Sequence, residues 1–192
     1  MCLNTRYYKL AVVFLFAFIA FVALQGQNRI TIQANAKGTS TQLGQIVAIK
    51  VLIEGVSPPE DREAIIAGFK KNGTDGMRDA LEKLKPKGRI SPTRSVGNDI
   101  KYIRELPAPA GQRRFRLVTD RNLAFAEVRN STRSSDYSVG AMEVTISKDG
   151  KEGSGTVLPA CRLKLNKKTN ELEIETYQNP WKLENFMIYF EN

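Results

Sequence analysis

Apolar residues fall along this chain in three rhythms, and each rhythm names an element. From Leu10 to Leu24 the run LAVVFLFAFIAFVAL is unbroken for 15 residues and sits just behind Arg6 and Lys9. Basic residues ahead of a short apolar stretch form the layout of a secretory signal, and the run falls short of the ~20 residues that span a bilayer. Residues 1–26 are therefore expected to be a signal peptide or, if retained, an N-terminal helix anchored in the inner membrane through residues 10–24. In the anchored case Arg6 and Lys9 stay on the cytoplasmic side. Either way the remainder, residues 27–192, is expected to be one exported domain, periplasmic or extracellular.

Beyond that run the apolar residues alternate. RITIQANA places Ile30, Ile32, Ala34 and Ala36 on one face, and IVAIKVLIE does the same with Val47, Ile49, Val51 and Ile53, the period of a strand. Ile46, Ala48 and Leu52 make the second face of the latter apolar too, which predicts a central strand. The rhythm then changes. Ser57-Pro58-Pro59-Glu60 carries a capping serine, a first-turn proline and an acid at a capping-box position. Ile65, Ile66 and Phe69 recur at helical spacing, Asn72-Gly73 interrupts, and Met77, Ala80, Leu81 and Leu84 resume before Pro86 and Gly88. That pattern predicts a helical hairpin.

After Gly88 the alternation returns in DIKYIREL, RRFRLVTD, LAFAEV, SVGAMEVTIS, GTVLPACRLKLN, ELEIETY and LENFMIYF. The links between most of these segments are too short for a crossover helix, so neighbours pair antiparallel. The expected fold is α+β and mostly antiparallel β, barrel-like or a sandwich, with one helical hairpin inserted after the second strand.

Composition narrows the chemistry. There is no histidine in the chain, which removes Ser-His-Asp and Cys-His catalysis, HExxH zinc sites and any imidazole base. The chain holds two cysteines. Cys2 belongs to the leader, so Cys161 is alone in the domain and no internal disulfide forms. Its setting, VLPACRLKL, reads as a buried structural thiol. No SxxK, calcium loop or dinucleotide fingerprint is present, so no catalytic residue, metal site or cofactor is expected. Asn72-Gly-Thr74 and Asn130-Ser-Thr132 match the glycosylation sequon, and Trp181, in Asn-Pro-Trp, reads as a core plug.

The element order resembles that of the fatty-acid-binding proteins, small barrels in which a helical hairpin caps the mouth over bound lipid. That family's interior arginine and tyrosine have no residue-by-residue counterpart here, and an extra strand precedes the helices. At GFKKNGTDGMRDALEKLKPKGRIS, RFRLVTDRNLAFAE and YQNPWKL the chain also resembles a group of exported bacterial proteins with no assigned activity. That resemblance implies a bacterial exported protein and transfers no site.

Charge supplies the remaining expectation. The formal net charge is +9, of which the leader carries Arg6 and Lys9. An exported basic domain meets anionic lipid head groups, acidic polysaccharide or extracellular nucleic acid, the last being the least expected of the three. Arginines crowd the middle of the chain, and a guanidinium fork binds carboxylate or phosphate at two points. Arg104, Arg114, Arg116 and Arg133, with Tyr137, are the candidate ligand-binding residues; Arg114 and Arg116 share a strand face and Arg113 points the other way. The expected function is non-enzymatic recognition of an anionic or amphiphilic envelope partner, a lipid head group or glycan. The alternatives are a histidine-independent hydrolase, needing clustered acids or a serine beside a lysine in a pocket, and an assembly subunit of an envelope complex with an exposed strand edge.

Overall fold

The computed structural model describes residues 29–123, 125, 137–166, 168 and 171–191. The expected export segment, residues 1–26, lies outside them. The elements run β1 (Arg29–Lys37), β2 (Ile46–Ile53), α1 (Pro59–Lys83), β3 (Gly88–Pro92), β4 (Asn98–Leu106), β5 (Gln112–Thr119), β6 (Val139–Ser147), β7 (Gly153–Asn166), β8 (Glu171–Glu175) and β9 (Trp181–Glu191). Every pairing is antiparallel. β1 to β6 follow one another in the sheet, β6 pairs with β7, and β9 closes the ring between β7 and β1. The result is a closed eight-stranded barrel, which settles barrel over sandwich. β8 stands outside the ring, paired only with the second half of β7.

Alternation puts Ile32, Val51, Ile90, Ile100, Phe115, Leu117, Val144 and Trp181 in one core, each at most 2% exposed. An eight-stranded barrel is about as wide as its own side chains can fill. Residues this inaccessible line no water-sized void, so among the described residues the barrel interior is filled by side chains. Trp181 plugs the core as expected, edge-on to Phe125 with ring centroids 4.8 Å apart.

α1 lies against the outside of the barrel. Ile65, Ile66, Met77 and Leu81 bury against Tyr102, Val118, Ala141, Cys161 and Leu163, whose side chains point outward from β4 to β7. The mouth-capping arrangement of the fatty-acid-binding proteins is therefore absent, because the outer wall here is the apolar surface that needs cover. Asn72 and Gly73 leave helical geometry, Gly73 at φ 56°. The two arms fold back until a Cβ on Gly68 would meet the Gly76 carbonyl oxygen at 2.2 Å.

Three local expectations change. Ser57 does not cap α1; its hydroxyl accepts the Ile103 amide, and its own N–H donates to the Ile103 carbonyl. β2 pairs on both sides, yet Ile46 and Ala48 on its outer face are exposed, because α1 covers the opposite wall. Leu123 and Phe125, from the expected LAFAEV strand, are buried but belong to no strand; the rest of that segment, apart from them, is not described.

Candidate functional site

Register brings the central arginines together on the outer wall. Arg104 on β4 stands opposite Arg116 on β5, and Arg116 opposite Glu143 on β6. Arg114 lies two residues from Arg116 on the same face, as period-two alternation requires. Glu143 accepts Arg116 Nε at 2.7 Å on one oxygen and Arg114 Nη2 at 2.6 Å on the other. Arg104 bonds Glu171 of β8, which also lies 3.7 Å from Arg62 of α1. Arg116 reaches the Leu172 carbonyl at 3.4 Å. Four guanidiniums from three distant segments thus meet on one wall.

The carboxylates are charged because of these neighbours. Burial alone would push Glu143 up, but hydrogen bonds from Arg114 and Arg116 outweigh it and hold the group below the usual carboxylate range. Glu171 is held low chiefly by its bond from Arg104. The Tyr102 hydroxyl is raised by burial, against the pull of Arg104 and Arg62. Beside this cluster, between β8 and the barrel wall, a cleft of about 470 Å³ is lined by Arg116, Glu143, Thr156, Leu158, Glu173 and Ile174 among others. The cluster sets Arg62, Arg104, Arg114 and Arg116 against Glu143 and Glu171 and is net positive, whereas the cleft itself is lined by one arginine, Arg116, and two carboxylates, Glu143 and Glu173.

Of the candidate residues, Arg104, Arg114 and Arg116 converge. Tyr137 belongs elsewhere: its ring packs on Tyr177 with centroids 4.6 Å apart and lies under the Arg162 guanidinium at 5.2 Å. Arg133 lies outside the described residues. Arg113 does point away, bonding Glu105 through two nitrogens at 2.8 and 2.9 Å and covering Phe115. Sequence reasoning missed Arg62, Glu143 and Glu171. The outward parity of Glu143 was readable in AMEVT, but its partner followed only from strand register.

The hydrolase alternative turns on a serine beside a lysine, and one such pair is present among the described residues. A groove of about 600 Å³ on the β1–β2–β3 wall includes Lys50 and Ser91, direct cross-strand partners. Lys50 is exposed, and the Ser91 hydroxyl is packed against Gly97. Among the described residues no three metal-ligating side chains gather, and no helix is long and apolar enough to cross a membrane. Cys161 is fully buried, and burial pushes its thiol up to about 12. Comparison with protein-family models, curated proteins and solved structures finds no match to this chain.

Proposed function

We propose that this protein is a non-enzymatic, exported envelope domain that holds an anionic group at the arginine cluster of its outer wall. The observation that carries the reading is the gathering of Arg62, Arg104, Arg114 and Arg116 on one wall against two carboxylates, Glu143 and Glu171, with Arg116 reaching the adjoining cleft. Each guanidinium carries five donors, so one carboxylate contact leaves N–H groups for a phosphate or carboxylate ligand. Thr156 and Thr176 line the same cleft with hydroxyls suited to a sugar or glycerol. The ligand's shared chemistry is a phosphate or carboxylate, from a lipid head group or an acidic glycan.

Titration calorimetry of the detergent-solubilised full chain tests this with glycerol phosphate and with polygalacturonate, the two arms separating the sources. Binding to one of them should weaken about tenfold or more in Arg104→Ala and Arg116→Ala, the loss of a charge-assisted bond. Glu143→Gln should bind more tightly, since it releases two guanidiniums. Equal binding by all three variants and the parent would sink the reading.

A further inference from the structure

The three most exposed large apolar side chains of the described protein are Val96 at 85%, Leu43 at 77% and Ile46 at 64%. All three lie at one end of the barrel. The β1–β2 link carries Leu43 and leads into Ile46. The β3–β4 link carries Val96, and the two links are joined where Thr93 N–H and hydroxyl both donate to the Ala48 carbonyl at 2.8 Å. Val56, Met187, Tyr189 and Phe190 are exposed elsewhere, by 38–52%, but the three most exposed side chains share one rim, and scattered exposed aliphatics, unlike a group at one rim, are ordinary on a protein surface.

The loops are built to present these residues. In the short 3₁₀ turn Ser40–Gln42 the polarity is inverted: Gln42 is 5% exposed, with its Oε1 buried and unpartnered, while the adjoining Leu43 faces solvent. Burying an amide oxygen without a donor and exposing a leucine both cost stability. The second loop is pinned from behind, where Arg89 Nη2 donates to the Val96 carbonyl at 2.6 Å. Arg94 beside it holds φ at 63°, a region that non-glycine residues seldom adopt.

The same rim is basic. Ile46, Lys37 and Lys182 form one row across β2, β1 and β9. Lys37 and Lys182 share the single carboxylate of Glu184, at 3.8 and 3.1 Å. Arg94 has no ion-pair partner among the described residues.

We propose that this rim docks on an anionic lipid bilayer, with Leu43, Ile46 and Val96 entering the head-group boundary and Lys37, Arg94 and Lys182 meeting acidic lipids. Aliphatic tips ringed by cations match both layers of such a surface, the apolar boundary and its negative charge. The proposal uses none of the wall arginines, so it stands or falls apart from the function proposed above.

The test uses the full chain carrying Cys2→Ser, reconstituted with vesicles, with a nitrobenzoxadiazole label at Leu43→Cys, Val96→Cys or Lys148→Cys. Buried Cys161 stays unlabelled, and Lys148 lies in the β6–β7 turn at the opposite rim. Labels at 43 and 96 should shift to the blue and be quenched by spin-labelled lipid in phosphatidylglycerol-containing vesicles, and much less in pure phosphatidylcholine. The label at 148 should remain in water. Arg94→Ala should lower the docked-to-undocked ratio about fivefold, the worth of one basic residue at an anionic surface. Solvent-like emission at both 43 and 96, quenching at 148 instead, or equal quenching in neutral vesicles would overturn the proposal. Because Leu43, Arg94, Val96 and Lys148 are all exposed, loss of folding does not confuse the result.

Discussion

Gly68→Ala tests the packing of the helical arms because two elementary effects oppose each other there. In a solvent-exposed helix, replacing glycine with alanine gains about 1 kcal/mol by removing backbone entropy from the unfolded chain. Here the added Cβ would lie 2.2 Å from the Gly76 carbonyl oxygen and 2.9 Å from the Ala80 Cβ. Neither is the end of a flexible side chain. Relief requires the arms to part, which drags Ile65, Ile66, Met77 and Leu81 from the barrel wall they bury against. Overpacking of this kind costs about 1–3 kcal/mol. Since the obstacle is backbone, the upper part of that range applies, and the net loss is about 1–2 kcal/mol after the propensity gain. For a domain of this size that lowers Tm by roughly 2–8 °C. Thermal and urea denaturation of parent and variant, followed by far-ultraviolet circular dichroism, give the number. A Tm equal to or above the parent's would show that the arms do not touch at Gly68 and would refute the reasoning.

Acid should weaken the fold through its paired carboxylates. Glu105, Glu143 and Glu171 all sit below their ordinary value of 4.5 in the folded protein. A carboxylate lowered by folding stabilises fully above its unfolded value and loses that contribution as pH falls through the folded one. Urea midpoints should therefore hold between pH 5 and 7, roughly, and fall below about pH 4.5, with a shallower acid limb in Glu143→Gln; a midpoint that rises on acidification would contradict the pairing. Cys161 should resist iodoacetamide at pH 8 in the native protein and react once unfolded, as mapped by mass spectrometry. Rapid native alkylation would mean that the β7 wall is not covered as described.

Much of the secondary structure was legible because it depends only on local periodicity. Alternation in residues 29–36 and 113–120 marked strands whose inward residues are core; in 99–106 a bulge between Ile100 and Tyr102 breaks it, so that Ile100 and Ile103 both face inward and Tyr102 faces out. The broken helical rhythm at Asn72-Gly73 marked a break where Gly73 takes a positive φ. In LAFAEV the two described residues, Leu123 and Phe125, are buried in the core without belonging to a strand, since alternation over so few residues does not require a ladder partner. Ser57 misled because its hydroxyl found a strand amide instead of a helix amide.

By itself, then, the sequence determined which faces of Arg114 and Arg116 agree, that histidine chemistry is excluded and that Cys2 is the one other cysteine in the chain. Only tertiary structure decided that the sheet closes and fills itself, that α1 lies on the wall, and that Arg62, Glu143 and Glu171 join the arginines. Periodicity is a property of neighbours along the chain. Register and closure depend on which distant segments bond, and no local pattern encodes that choice.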